Sequence, residues 1–251
     1  MGSVVLVTGG TGRLGRRVVG HLRNSGCDVR VLTRHRHEDS GGVTYLSGDL
    51  SAGTGIGAAV AEAGSVVHCA TSTKGDAAAT RHLVAAMSRA GAPHIVFPSI
   101  VGSDRLRWGY PQAKLAAEDI VSESGLPWTI VRATQFFDYI LAGLRTMAGR
   151  PVIPVPAGVD LQPIDPDEVA ARLVELTLSG PAGRAPDLAG PQITTWVDML
   201  RDYLDATGKR RLLMPVRIPG TGAIRGGGLL PGPGHTAAEH TWAQFLSATG
   251  G

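Results

Sequence analysis

Short apolar runs recur along the first half of the chain, separated mostly by stretches whose apolar residues have helical spacing. The first run is rich in valine and leads through glycines to Leu14, Val18, Val19 and Leu22, which share one face of a helix. Strand, turn and helix are therefore predicted in that order. Five further runs have the length and composition of strands. The six predicted strands span residues 3–8, 28–33, 43–47, 65–69, 94–99 and 128–132.

Helices are predicted between most of these strands. Residues 56–63, 77–90 and 112–123 each carry an apolar stripe and are followed by a glycine within two residues, as helix ends often are. Because strands alternate with helices, we predict an α/β fold in which a doubly wound parallel sheet is covered on both faces.

The pattern weakens after Arg132, where prolines become frequent. Helices are predicted there only at residues 167–178 and 195–206. We predict a core over residues 1–150 and a small substrate-binding lid region over 151–251, packed together as one compact unit. Residues 220–234 are too rich in glycine and proline for a regular element. A mobile loop beside the site and a disordered surface loop both fit that segment.

Composition narrows the class of protein. The chain is 43% hydrophobic and 18% charged, a globular balance, and its 35 glycines have no triplet period. No apolar run reaches the length of a membrane span, and the amino terminus lacks a basic signal segment, so we expect a soluble cytoplasmic protein with Cys27 and Cys69 reduced. The net charge of +3 comes from scattered arginines, and we expect no nucleic-acid partner.

A glycine-rich string directly follows the first strand and opens the first helix. Small residues let the backbone approach a pyrophosphate, and a helix amino terminus offers free N–H groups to it. We predict that this string cradles the phosphates of a dinucleotide; the alternative is a tight strand-to-helix turn. The candidate binding residues are Gly9, Thr11, Gly12, Arg13, Leu14 and Gly15.

The end of the second strand indicates which nucleotide is bound. An NAD site usually has an acidic residue there, whereas this chain has Arg34 and no carboxylate before Glu38. A guanidinium holds a 2′-phosphate by charge-assisted hydrogen bonds, so we predict NADP(H) in preference to NAD(H). Solvated surface arginines are the alternative. Arg13 and Arg36 are possible helpers, and further cofactor contacts are expected from Asp49 and Leu50 after the third strand and from Ala70 and Thr71 after the fourth.

Three residues carry candidate catalytic chemistry. Tyr110 and Lys114 are four residues apart and share one helix face, and Ser99 ends the fifth strand at the sheet edge where ligands bind. Tyr110 would act as acid or base, Lys114 would lower its pKa and hold the nicotinamide ribose, and Ser99 would orient the substrate oxygen. The alternative is a core tyrosine, a surface lysine and a strand-end serine.

These motifs, with residues 124–136, resemble the NmrA-like group of atypical short-chain dehydrogenases/reductases. The resemblance implies a Rossmann fold, NADP(H) binding, reduction of ketones or quinones, and a loop from Thr134 to Phe136 against the nicotinamide. Many relatives dimerise, and a monomer or homodimer is expected. The fourth strand ends in HCATS, and no residue clearly matches the catalytic asparagine of standard members.

Aromatic residues near the sixth strand are candidates for an apolar substrate pocket: Trp108, Phe136, Phe137, Tyr139 and the neighbouring aliphatic Ile140. They suit a flat or cyclic carbonyl compound such as a quinone, although ordinary helix packing explains the same cluster. Two other functions remain open: an NADP(H)-binding redox sensor without turnover, and a nicotinamide-dependent epimerase or isomerase. The histidines form no convincing ligand set, so no metal is expected.

Overall fold

The computed structural model describes residues 3–71, 75–106, 109–217 and 222–249. The chain forms two compact units that are interleaved along the sequence. The first unit comprises Met1–Ser99, Arg107–Arg132 and Val169–Ala185, and the second comprises Ile100–Leu106, Ala133–Glu168 and Pro186–Gly251. The change in sequence pattern after Arg132 predicts a single boundary, at residue 150. That pattern does not reveal that Val169–Ala185 belongs to the first unit.

Thirteen strands and eight helices are formed by the described residues. The strands are β1 Val4–Thr8, β2 Asp28–Thr33, β3 Val43–Ser47, β4 Ser65–His68, β5 His94–Ile100, β6 Trp128–Ala133, β7 Val152–Pro156, β8 Asp160–Leu161, β9 Gly183–Arg184, β10 Leu188–Ala189, β11 Thr194–Thr195, β12 Leu212–Val216 and β13 Thr236–Ala237. The helices are α1 Arg13–Asn24, α2 Ile56–Val60, α3 Asp76–Arg89, α4 Gly109–Ser122, α5 Phe137–Met147, α6 Pro166–Ser179, α7 Trp196–Ala206 and α8 Trp242–Thr249. None of the helices in the described ranges is long and apolar enough to cross a membrane.

The sheet of the first unit has the strand order β6-β5-β4-β1-β2-β3. Strand β1 pairs in parallel with both β2 and β4, so that Leu6 lies between Arg30 and Val66. This order reverses direction between β1 and β4, which is the switch point of a doubly wound sheet and the usual place for a ligand. The predicted Rossmann-type α/β fold is confirmed.

The core of the first unit lies on both sides of this sheet. Leu6, Ile95 and Phe97 pack with α2, α3 and α4 on one face. Side chains alternate along a strand, so Val5 and Val7 face the other side, where α1 packs against β1 and β2. The predicted helix at 56–63 ends early, at Val60, because Ala61 has a non-helical ψ of 130° and Glu62 follows with a left-handed φ of 62°.

The second unit has its own apolar core. Three rings pack against one another, with Phe137 5.5 Å from Trp242 and 5.2 Å from Phe245 between ring centroids. Helices α5, α7 and α8 contribute to this core. The structure also places two strand pairs here, β7 with β12 in parallel and β8 with β11 antiparallel. Helix α7 was predicted from the sequence, whereas α5 and α8 were not.

Hydrogen bonds within the second unit hold the described part of the glycine- and proline-rich segment, which begins at residue 222. Residues Ile224–Gly228 form a kinked turn, in which the backbone angles of Gly226 and Gly227 are not helical. Arg105 donates hydrogen bonds to the carbonyl oxygens of Gly227, at 3.3 Å, and Leu230, at 2.6 Å. The prediction that this segment is too rich in glycine and proline for a regular element agrees with the kink, and the two Arg105 hydrogen bonds hold the segment in place.

Candidate active site

The loop between β1 and α1 requires glycine for steric reasons. Gly9 has φ +67°, and a Cβ there would lie 2.6 Å from the backbone nitrogen of Ala70. A Cβ on Gly15 would lie 2.1 Å from the carbonyl oxygen of Gly9, and one on Gly10 would lie 2.8 Å from the side chain of Val31. A side chain at any of these three glycines would clash with neighbouring atoms, so the close turn depends on the absence of side chains.

The same loop presents a helix amino terminus. Helix α1 begins at Arg13 after Gly12, and neither a capping side chain nor an acidic residue occupies its first turn. Thr11, Gly12 and Arg13 are exposed, and Leu14 is half-buried. Free N–H groups and the positive end of the helix dipole favour an anion at this position. The loop therefore fits the pyrophosphate of a dinucleotide.

The predicted nucleotide-discriminating residues lie at the carboxyl end of β2. Arg34 and Arg36 are exposed, while Thr33 is buried and accepts a hydrogen bond from the backbone N–H of His35 at 3.3 Å. The strand end is thus fixed and the guanidinium of Arg34 lies in solvent. A flexible cation at this position can reach a phosphate without first breaking an internal contact.

The next strand ends contribute backbone geometry. The Asp49 carboxylate accepts a hydrogen bond from the N–H of Ser51 at 2.7 Å and so closes the turn after β3, where Leu50 packs partly on the core. The N–H of Ala70 donates to Thr8 Oγ1 at 3.3 Å. This bond holds the chain leaving β4 against the glycine loop.

His68, at the end of β4, is a structural residue. It is 1% exposed, and its two ring nitrogens lie 2.7 Å from Thr8 Oγ1 and 3.2 Å from Thr80 Oγ1. Burial, with a smaller contribution from the charge of Lys114, lowers the pKa of His68 to about 3. The ring is therefore neutral and joins β1 to α3.

Tyr110 lies at the start of α4 in a connected polar network. Its hydroxyl is 3.1 Å from Thr71 Oγ1, and Thr71 donates a hydrogen bond to Asp76 Oδ2 at 2.7 Å. Asp76 Oδ2 in turn lies 3.7 Å from Lys114 Nζ. The structure thus joins Tyr110 to Lys114 both along one face of α4 and through two residues that follow β4.

Lys114 is almost completely buried, with 4% of its side chain exposed. Its ammonium lies 4.6 Å from the ring centroid of Phe97, 5.9 Å from that of Tyr110 and 3.5 Å from the carbonyl oxygen of Pro98. Burial lowers the pKa of Lys114, and the charge of Asp76 is the main opposing effect. The positive charge is therefore held beneath the tyrosine ring by surrounding acceptors.

Ser99 lies near Glu118, a second charged residue of α4. It is 4% exposed, and its Oγ has no hydrogen bond of ordinary geometry within the described residues, although the hydroxyl lies near enough to Glu118 to influence that carboxylate. Glu118 accepts hydrogen bonds from Arg132 at 2.8 and 2.7 Å and from Arg184 at 3.1 Å. Burial alone would raise the pKa of Glu118; the Arg132 hydrogen bonds, Ser99 and Arg184 hold it below its usual value.

Sequence reasoning missed Asp76 and Glu118. Asp76 is the first residue of α3, directly after a glycine, and looks like an ordinary helix-start residue. Glu118 follows Lys114 by four residues, so the stripe formed by Tyr110, Lys114 and Glu118 was visible in the spacing. What the spacing does not contain is the partner that each charge finds on another element.

The remaining predicted residues belong to the second unit. Thr134 is buried and donates to the carbonyl oxygen of Gln162 at 2.6 Å. Phe136 stacks on Tyr139 with 6.0 Å between ring centroids, and Tyr139 is 57% exposed. Phe137 is in the core described above. Trp108, a predicted pocket residue, lies outside the described residues.

The strand order, the glycine loop and the free helix amino terminus together define a dinucleotide-binding α/β protein. The family can be given as well. The chain belongs to the NAD(P)H-binding family, whose model matches residues 9–176. The resemblance drawn from the glycine loop and the Tyr110–Lys114 pair is thereby confirmed at the level of the family.

Known proteins of similar sequence and fold include reductases. The chain is 29% identical over 205 residues, covering 76% of this chain and 70% of the relative, to (4-alkanoyl-5-oxo-2,5-dihydrofuran-3-yl)methyl phosphate reductase of Streptomyces griseus. It is 26% identical to the NAD(P)H azoreductase of Xenophilus azovorans, covering 82% of this chain and 74% of that protein. The crystal structure of the NADPH-dependent quinone oxidoreductase of Escherichia coli in complex with NADPH has the same fold, with a TM-score of 0.82 at 18% identity. The match covers 98% of this chain and 99% of that protein.

Proposed function

We propose that this protein is an NADPH-dependent oxidoreductase that reduces a carbonyl or quinone group of a small, apolar, cyclic substrate. The main support is the environment of Tyr110, whose hydroxyl lies 3.1 Å from Thr71 Oγ1 and whose ring centroid lies 5.9 Å from the buried ammonium of Lys114. A redox sensor that only binds the nucleotide has no use for an acid–base group next to a buried cation. The network therefore favours turnover.

The nucleotide would be held by the glycine loop and the end of β2. Gly9, Gly12 and Gly15 would let the pyrophosphate approach the start of α1, and Arg34 would hold a 2′-phosphate. NADPH, when bound, supplies the hydride. Ala70, Thr71, Thr134 and Phe136 remain candidates for contacts to the rest of the cofactor.

The chain's own chemistry is proton delivery. Reduction of a carbonyl develops negative charge on its oxygen, and Tyr110 would donate its proton there. Lys114 would stabilise the phenolate that results, since its charge lies 5.9 Å from the tyrosine ring centroid. Ser99 is proposed to orient the substrate oxygen, which requires its buried hydroxyl to turn from the Glu118 side.

The substrate class is supported by the names of similar proteins. They include a quinone oxidoreductase, an azoreductase and a reductase of a dihydrofuranone phosphate. All three names describe acceptors with unsaturated, conjugated groups. We therefore propose quinones and related conjugated carbonyl compounds as the first acceptors to test, ahead of simple ketones.

The test is a binding and turnover experiment on the purified protein. NADPH and NADH are titrated while nicotinamide fluorescence is followed, for the wild type, for Arg34→Ala and for Arg89→Ala, an exposed arginine at the far end of α3. We expect tighter binding of NADPH, with Arg34→Ala weakening it by about tenfold or more, as expected for lost charge-assisted hydrogen bonds, and Arg89→Ala leaving it unchanged.

A panel of quinones and ketones is then added to the NADPH complex. Oxidation of NADPH by a quinone supports the proposed reaction. Tight binding without oxidation by any acceptor contradicts it and favours the sensor. Protein purified with a tightly held nucleotide that does not exchange with added NADPH favours the epimerase or isomerase.

A further inference from the structure

Asp76 is a buried carboxylate that the proposed reaction does not yet use. It accepts the Thr71 hydrogen bond at 2.7 Å, lies 3.7 Å from Lys114 Nζ, and has 4% of its side chain exposed. We propose that Asp76, acting through the Thr71 hydroxyl, keeps the proton on Tyr110 and so prepares the site to donate a proton. The inference rests on the proposed function and adds a positioning residue and a direction to it.

The direction of the hydrogen bonds supplies the first argument. An ionised carboxylate only accepts hydrogen bonds, and a threonine hydroxyl has a single proton to give. Thr71 gives that proton to Asp76, so the Thr71 oxygen can only accept in its 3.1 Å contact with Tyr110. Tyr110 must then be the donor. A phenolate in the same place would meet oxygen lone pairs, and the protonated tyrosine is therefore favoured.

Charge balance supplies the second argument. Without a counter-ion, the ammonium of Lys114 would favour loss of the proton from the Tyr110 hydroxyl. Asp76 lies directly against Lys114, in surroundings from which water is largely excluded, and offsets that effect. Hydrogen bonding and charge thus act in the same sense on Tyr110.

The other titratable groups around Lys114 do not replace Asp76. His68 and Cys69 are uncharged near neutral pH, since burial lowers the pKa of His68 to about 3 and raises that of Cys69 to about 12. Glu118 is the other carboxylate that acts on Lys114, and it is engaged by two arginines as described above. Asp76 is the carboxylate linked to Tyr110 through a hydroxyl in the described network.

The functional consequence concerns the direction of the reaction. Reduction of a carbonyl needs an acid at the substrate oxygen, and oxidation of an alcohol needs a base. A network that retains the proton on Tyr110 supports reduction and opposes oxidation near neutral pH. The site is accordingly built for a reductase rather than for an alcohol dehydrogenase.

The direct test measures the titration of Tyr110 without any substrate. Phenolate absorbance is recorded against pH for the wild type and for Asp76→Asn, each compared with the same protein carrying Tyr110→Phe, so that the difference reports Tyr110 alone. Asparagine can still accept from Thr71 but has no charge and can also donate to it. We expect Tyr110 to titrate about one pH unit or more lower in Asp76→Asn.

Asp119→Asn is the matched control. It makes the same chemical change at an exposed position of α4 and should leave the Tyr110 titration where it is in the wild type. An Asp76→Asn titration that matches the wild type would overturn the proposal. So would an equal shift in both variants, because it would show a response to net charge alone.

A second pair of variants is independent of the buried charge, in case Asp76→Asn does not fold. Thr71 is exposed, and Thr71→Val removes its hydroxyl while keeping its shape. We expect Thr71→Val to move the Tyr110 titration and Thr71→Ser to restore it. An unchanged Tyr110 titration in Thr71→Val would contradict the relay through Thr71.

Turnover separates this inference from the proposed function. With a quinone that the wild type reduces, the loss of rate at high pH should move to lower pH in Asp76→Asn by the same amount as the Tyr110 titration. A titration shift in a protein that reduces no acceptor would contradict the proposed reaction but support the coupling of Asp76 to Tyr110. Turnover in both proteins with identical pH profiles and titrations would contradict the coupling alone.

Discussion

Two buried charged side chains lie one turn apart on α4, and their surroundings differ. Lys114 lies 3.7 Å from its counter-ion Asp76, and this pair continues through Thr71 to the hydroxyl of Tyr110, which is partly exposed. The chain of polar groups therefore leads from the interior to the surface. Glu118, one turn further along, is bound by guanidinium groups.

Glu118 is surrounded by cations instead. Arg132 on β6 holds both carboxylate oxygens at 2.7 and 2.8 Å, and Arg184 on β9 adds a third contact at 3.1 Å. Paired N–H donors in a fixed plane give geometric precision, since a guanidinium matches a carboxylate. This cluster fastens α4 to two strands of the sheet.

The contacts of Glu118 and of Lys114 suit different roles. A carboxylate held by two guanidinium groups has its charge and its hydrogen bonds satisfied, so it serves position and stability. Hydroxyl groups can turn and exchange protons, so a pair that ends in Thr71 and Tyr110 can serve chemistry. We expect changes around Glu118 to alter stability and changes around Lys114 to alter turnover.

The largest effect is expected for the loss of the Tyr110 hydroxyl. Tyr110→Phe removes the proposed proton donor and should lower turnover by about 100- to 10,000-fold, the usual contribution of a general acid. Binding of NADPH, followed by fluorescence, should change little. Tyr203→Phe removes a hydroxyl from a buried tyrosine of the second unit and is the control. Equal activity of Tyr110→Phe and wild type would refute the assigned role.

The next largest effect is expected for the contacts between Glu118 and its two arginines, Arg132 and Arg184. Arg132→Met leaves the buried Glu118 carboxylate with Arg184 as its remaining arginine partner, and should lower the free energy of unfolding by about 3 kcal/mol, the lower range for breaking a buried pair. Urea unfolding measures this change. Arg184 has 40% of its side chain exposed, so Arg184→Ala should cost less than about 1 kcal/mol. Similar losses in the two variants would show that the paired contact has no special weight.

Low pH should also weaken the contribution of Glu118 to stability. The pKa of Glu118 is lowered in the folded protein, so its contribution to stability is present above the unfolded value and is lost as pH falls through the folded one. Stability of the wild type should therefore decline as pH drops below the usual 4.5 of a glutamate. The decline should be weaker in Arg132→Met. Parallel pH profiles of the two proteins, measured by urea unfolding, would count against this origin of acid sensitivity.

The first unit could be predicted from sequence because its elements follow local rules. Strands β2 and β3 have the bounds that their apolar runs indicate, and the glycines between β1 and α1 are required by contacts that any close turn of this kind makes. Helix α5 is not predicted from the sequence, because its apolar stripe directly follows a strand and its aromatic residues also suit a pocket wall. Phe137 instead fills the core of the second unit.

The candidate site could be predicted only in part, for a related reason. The spacing of Tyr110 and Lys114 gives their common face, but the burial of Lys114 and its pairing with Asp76 depend on where α3 packs. Ser99 is a candidate because it lies near the end of a strand, whereas its proximity to Glu118 depends on where α4 packs. Local spacing thus identifies candidate residues, and tertiary packing determines their partners.

A small gain in stability would make the difference between the Glu118 and Lys114 groups easier to measure. Gly20 lies inside α1, and a Cβ there would meet nothing within 4 Å. Gly20→Ala should raise the free energy of unfolding by about 0.5–1 kcal/mol, since alanine loses less backbone freedom than glycine in a helix. Gly9→Ala, with φ +67° and a 2.6 Å approach to Ala70, should destabilise the protein instead. In the Gly20→Ala background, Arg132→Met should still unfold earlier while Tyr110→Phe keeps full stability. If both lowered stability equally there, the two charged groups of α4 would not divide structure from chemistry.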